Sequence, residues 1–208
     1  MYNPPHFAVS DFARVQDFIR QNAFATLAAV IDGAIHFGYV PVILDPQKAK
    51  LGGVHFHFAR ANPLAAAEDG TLFKMSLMGS HAYVSPDWYE TRDQVPTWNY
   101  SAVEGSGRVK RLNGPETVAY LERLAAEQEA TLRPKPPWSP VKINPEAMKK
   151  LLLGIVAFEL SFESLEGKTK LSQNKSQADI KGVIDALSRR GSEAARSVAA
   201  AMQQWSLH

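Results

Sequence analysis

The sequence predicts a mainly β protein with flanking helices, an α+β fold built on a small antiparallel barrel. Three observations predict it. Period-two alternation recurs at 54–58, 73–78 and 156–162, the spacing of a strand with one buried face. Asp32-Gly33 separates two apolar runs, the strongest short-range sign of a hairpin. Strands and helices do not alternate strictly, which argues against a doubly wound parallel sheet.

In chain order, Ser10 caps a short helix whose Phe12, Val15, Phe18 and Ile19 share a face and which stops at Asn22. The hairpin follows, 24–31 against 34–44. Pro41 lies in its second strand and implies an edge or a bulge, because proline cannot donate to a ladder. A third strand puts Val54, Phe56 and Phe58 on one face and His55 and His57 on the other. Asn62 then caps a short helix with Pro63 in its first position and Gly70 at its end. Phe73, Met75 and Leu77 mark a fourth strand that 82–84 can extend. Residues 85–99 carry Trp88, Tyr89 and Trp98 and read as an ordered loop, since such rings must pack.

Residues 100–112 form another strand, with bulges suggested by Gly105 and Gly107. Asn113-Gly114-Pro115 opens a helix that turns Val118, Leu121, Leu124 and Ala125 inward. A proline-rich connection, 133–140, leads to a short helix from Asn144-Pro145 to Gly154. The strand at 156–162 follows, and Gly167 predicts a turn, after which 168–171 begin the return. Ser176 and Asp179 cap a tail helix striped by Ile180, Val183, Ile184 and Leu187. A second stripe follows Gly191-Ser192 at Ala195, Val198, Ala199 and Met202. The count is about six strands.

Composition narrows the function. The chain has 208 residues, 45% of them hydrophobic and 21% charged, which suits a folded domain with a substantial core. Lys and Arg total 23 against 21 acids, a net charge of +2, too near neutral for a nucleic-acid coat protein. Cysteine is absent, which excludes disulfides, cysteine-ligated metals and thiol nucleophiles. No apolar run reaches the roughly 18–20 residues of a membrane span, and the N-terminus lacks the regions of a signal peptide. The expected location is cytoplasmic, away from membranes.

Several segments can carry chemistry. Arg60, delivered by a strand to the helix start at Asn62, describes an anion site or an ordinary capped turn. The loop segments 83–89 and 95–100, with their aromatic, proline, Asn and Thr side chains, suit a planar heteroaromatic ligand, a partner subunit or a plug for the barrel end, while Asp87 and Glu90 are too ordinary a carboxylate pair to argue glycosidase chemistry. Lys168 to Lys175 can balance an anion or simply meet solvent. His55 and His57 share a strand face, but no third histidine or carboxylate cluster accompanies them at a typical spacing, so no metal is expected. Arg189, Arg190 and Arg196 gather near the turn between the tail helices, a weak DNA-reading pattern. Hydrolase, P-loop and Rossmann fingerprints are missing.

Taken together, His57-x-Ala59-Arg60-Ala61-Asn62-Pro63, Tyr83-Val84-Ser85-Pro86-Asp87-Trp88-Tyr89, Val95-Pro96-Thr97-Trp98-Asn99-Tyr100 and Lys170-Leu171-Ser172-Gln173-Asn174 resemble the PaiB family, described as FMN-binding negative transcriptional regulators. The resemblance runs from the N-terminus to about residue 188. It departs at Gly79-Ser80-His81, where the family often has Gly-Pro-His, and fades beyond Gly191. It implies an FMN-binding split β-barrel of antiparallel Greek-key type over 1–175, with a C-terminal helical extension, 176–208, packed on the barrel or on the partner. It implies a homodimer with FMN at the subunit interface. Arg60 and the helix start at Asn62 would then hold the phosphate. Lys170, Ser172, Gln173 and Asn174 would approach the ribityl chain or ring edge. Trp98, Asn99 and Tyr100 would lie near the flavin or shape the dimer seam, and Thr26 and Val40 would line the ring. A flavin-dependent oxidoreductase is the alternative, with His57, His81 and Tyr100 as the acid–base candidates.

Overall fold

The computed structural model describes residues 1–206. Eight strands form one sheet: β1 (Ala8–Val9), β2 (Phe24–Ile31), β3 (Ala34–Pro41), β4 (Ile43–Asp45), β5 (Gly53–Ala59), β6 (Leu72–Val84), β7 (Thr97–Arg111) and β8 (Ile155–Lys170). Five helices accompany them: α1 (Phe12–Gln21), α2 (Gly114–Ala130), α3 (Pro145–Leu153), α4 (Gln177–Arg189) and α5 (Glu193–Ser206). The strand order is β3-β2-β6-β7-β8-β5-β4, with β1 on β8. The chain resolves into two compact units, one of residues 19–76 and 105–165, the other of 1–18, 77–104 and 166 onward. The long strands β6, β7 and β8 contribute residues to both.

The first unit is built on the predicted hairpin. Asp32 and Gly33 both take positive φ, 50° and 77°, as a type I′ turn demands. The turn fixes the register Thr26↔Tyr39, Ala28↔Phe37 and Val30↔Ile35. Leu27, Phe56, Phe58, Phe73, Met75 and Phe158 fill its interior, and the Phe56 and Phe158 rings stack at 5.8 Å. Gly38 permits the closure. A Cβ there would stand 2.4 Å from the Phe58 ring, so only glycine lets β3 approach β5 across the core.

The second unit packs the tail helices. Ile180, Val183 and Leu187 of α4 meet Ala195, Val198, Ala199 and Met202 of α5 over Ala82, Val84 and Leu171. Both predicted stripes are therefore core. The predicted tail extends to His208, and residues 207 and 208 lie outside the described part.

Several elements differ from expectation. Asp11, not Ser10, accepts from Ala13 N at the start of α1. The helix predicted from Pro63 to Gly70 is a 3-10 turn of four residues, Pro63–Ala66. Gly167 makes no turn: β8 runs through it, because Val9 and Val15 pack where a Cβ would sit. Gly107 likewise gives room to Ser161 O within an unbroken β7. On α2, Tyr120 is the buried residue, whereas Val118 is exposed and Leu121, Leu124 and Ala125 are half-buried. All four line an open groove with α3, and of them Leu121 and Leu124 also pack inward against the cluster of Ile43, Tyr120 and Ala157.

Candidate functional site

Arg60 follows the last residue of β5. Its Nε donates to Leu153 O at 2.6 Å and one terminal nitrogen to Ile155 O at 3.0 Å. Arg111, at the end of β7, is held in the same manner by Ala67 O and Ala65 O, at 2.8 and 2.9 Å. With Lys149 they line a cavity of about 600 Å³ whose walls include Leu112, Leu152, Ile155 and Val156. Gly114 and Thr117, in the first turn of α2, also face it. Asn62 does not. Its side chain accepts from Leu64 N at 2.9 Å and caps the short 3-10 turn. The helix start that comes to Arg60 is thus that of α2. Arg111 and Lys149 carried no local signal in the sequence, since only the fold brings them to Arg60.

A second cavity, about 200 Å³, lies among Tyr89, Thr97, Asn99, Lys170, Ser172, Asn174 and Lys175. Four of the predicted residues therefore meet. Asn99 is wholly buried and donates to Ser172 Oγ at 3.0 Å. Gln173 turns away: its amide accepts from Leu171 N and donates to Thr169 O. Tyr89 and Lys175 join the site unassigned, although both stand inside the segments singled out above.

The remaining candidates spread out. Thr26 lies on the outer face of β2, between Tyr39 and Ser76. Val40 pairs with Ala25 on the opposite, inward face and is buried. The two cannot present side chains to one ring, because neighbouring residues along a strand alternate faces. Tyr39 is the β3 residue that accompanies Thr26. Trp98 is 52% exposed and has the His81 and Tyr83 rings 6.0 Å away. Tyr100 lies under the Lys168 ammonium.

The two strand histidines have partners. His57 Nδ1 and the Tyr120 hydroxyl share a hydrogen bond of 2.9 Å. His55 stands opposite Glu159 in the β5–β8 ladder, Nε2 3.4 Å from its carboxylate, and Lys48 reaches the same carboxylate at 2.8 Å. Burial pushes both imidazoles below their ordinary pKa and raises that of Tyr120. They stay neutral under a helix at neutral pH.

Residues 1–164 match a family model described as "Putative FMN-binding domain". The "Protease synthase and sporulation protein PAI 2" of Bacillus subtilis is 30% identical over 207 residues, covering 98% of this chain and 97% of its own. Among solved structures, the FAD and heme binding protein of Mycobacterium smegmatis aligns with a TM-score of 0.56 at 17% identity, over 84% of this chain and 78% of its own. The flavocytochrome Anf3 of Azotobacter vinelandii gives a TM-score of 0.56 at 13% identity, over 84% and 75%. The last two likenesses are of fold.

Proposed function

The chain belongs to the PaiB family of FMN-binding domains, with its split β-barrel and C-terminal helices, and from that premise we propose that it is an FMN-binding transcriptional regulator of the PaiB type. In this reading it is a cytoplasmic homodimer that holds flavin where its subunits meet. The observation that carries the reading is the family match over residues 1–164. Among the described residues, no helix is long and apolar enough to cross a membrane.

The residues present suit the cofactor. The cavity at Arg60, about 600 Å³, falls within the roughly 300–1,000 Å³ of sites for drug-sized ligands. Arg60, Arg111 and Lys149 bring three cations to it, which fits a phosphate monoester. Arg60 keeps one guanidinium nitrogen without a partner among the described residues. Bound FMN supplies one- and two-electron chemistry. The chain's part is to grip the phosphate through Arg60, to wall the ring with Leu112, Leu152 and Val156, and to keep water out. The smaller cavity at Lys170, about 200 Å³, falls below that range, so in this reading the ring is assigned to the larger one.

The outer face of the hairpin supports a second copy. Phe24, Val30, Ile35, Phe37 and Tyr39 are all exposed there, each by more than half of its surface, and Thr26 lies among them. A contiguous apolar stripe of this kind is uncommon on a monomer. A subunit pressed on it would bury this stripe, Thr26 included.

The regulatory role rests on the relation to PAI 2. Arg189, Arg190 and Arg196 at the α4–α5 turn are the groups that would meet DNA, with affinity falling steeply as salt rises. A flavin-dependent oxidoreductase is the second reading, favoured by the name of the flavocytochrome neighbour. Turnover of a second substrate after NADH or NADPH reduces the bound flavin would select it. FMN titration tests the shared premise. Arg60→Ala should weaken FMN by roughly tenfold to a hundredfold and leave riboflavin, which has no phosphate, almost unchanged. Equal loss for both ligands would refute phosphate binding at Arg60.

A further inference from the structure

The enclosure at Lys170 has the size and chemistry of a different ligand. At about 30 Å³ per water, its volume of about 200 Å³ holds a few waters or one phosphate-sized anion. Its charged lining has a single sign. Lys170 and Lys175 face it, and among the described residues no carboxylate lines it. Lys170 Nζ donates to Thr97 Oγ1 and Lys175 Nζ to Gln94 Oε1. Both partners are neutral, and an ammonium has three donors. Burial, aided by the like charges of Lys168 and Lys175 and opposed by Tyr100, pushes the Lys170 amine below its ordinary pKa.

A second observation points the same way. The Tyr89 hydroxyl is sealed from solvent and makes no well-formed hydrogen bond among the described residues, with the Ser172 side chain as its polar neighbour. The Oγ of Ser172, another lining residue, is already engaged with Asn99. Ser172 itself takes φ 63°, a left-handed conformation that non-glycine residues seldom adopt and that concentrates at ligand clamps. A buried, unmet hydroxyl is costly and calls for an explanation.

We propose that this enclosure is a binding site for a phosphate-sized oxyanion, received by Lys170, Lys175 and the Tyr89 hydroxyl. The anion is either free or the phosphoryl group of a larger ligand, the flavin included. The site stands on its own lining and needs no flavin elsewhere.

Isothermal titration of the full chain with inorganic phosphate, at ionic strength held constant with chloride, tests it. Saturable uptake is expected, weakened at least tenfold by Lys170→Met or Lys175→Met (about one charge-assisted hydrogen bond) and several-fold by Tyr89→Phe. Without phosphate, Tyr89→Phe should keep or raise the melting temperature, because it deletes a buried hydroxyl that makes no well-formed hydrogen bond among the described residues. A merely structural tyrosine would lower it. FMN titration of Lys170→Met separates the sources. Unchanged affinity assigns the site to a free anion, and a loss matching that of phosphate assigns it to the flavin's phosphoryl group. No saturable uptake by the unaltered chain, or uptake indifferent to all three substitutions, overturns the proposal. A chain that takes phosphate but no FMN would sink the flavin reading alone.

Discussion

Asp179 is buried and yet charged, because donors converge on it. Its Oδ1 accepts from Glu90 N and Thr91 N at 2.8 and 3.0 Å, and its Oδ2 from Thr91 Oγ1 at 2.7 Å. These bonds hold its pKa down to about 2. They also tether the segment that carries Tyr89. A carboxylate whose folded pKa is depressed contributes stability above its unfolded pKa, about 4, and loses it as pH falls through the folded value. Asp179→Asn should lower the melting temperature at pH 7 and shrink the acid-induced loss between roughly pH 4 and 2. A variant that melts like the parent across that range would show that the tether is idle. His57 works in the opposite chemical sense but with the same pH direction. Burial depresses its pKa, so unfolding releases a site that binds protons more readily. The stability it contributes is complete above about pH 6.5 and lost as pH drops toward its folded value. Melting temperature should therefore fall between pH 7 and 5.5, and fall less steeply in His57→Gln. An unchanged slope would place the imidazole in solvent.

At the scale of elements, the sequence is legible wherever the signal is local. The Asp32-Gly33 turn, the Asn113 cap and the tail stripes are each decided by neighbours within a few residues, and the structure keeps them. Asn113 even completes a capping box with Glu116, worth about 1 kcal/mol. Asn113→Ala should cost about that much, read as a shift in denaturation midpoint, and a loss below a few tenths would show α2 to be held by its contacts alone. Gly167 misleads because glycine serves two ends. The sequence shows a residue able to turn, whereas the fold uses its missing side chain to admit Val9 and Val15. Val40 misleads because a one-residue difference in strand position moves a side chain to the other face. Arg111 and Lys149 were illegible as partners of Arg60, since 51 and 89 positions separate them from it along the chain (111 − 60 and 149 − 60). The four segments shared with PaiB made the family readable while leaving open which side chains meet.

For the whole molecule, the account rests on association and cofactor. The exposed stripe of the hairpin is the surface that a second copy would bury. Phe37→Asp, at a position 61% exposed, removes no core contact but sets a charge in the middle of that stripe. It should convert a dimer to monomers in sedimentation, with folding intact. A monomeric parent, or a variant that still sediments as a dimer, would place the seam elsewhere. The cofactor admits the most direct measurement. Apoprotein titrated with FMN, followed by visible absorbance and flavin fluorescence, should bind one flavin per subunit with a shifted band between roughly 350 and 500 nm, and the melting temperature should rise with ligand. A spectrum that remains that of free flavin, with no change in melting at saturating FMN, would contradict the account at its centre.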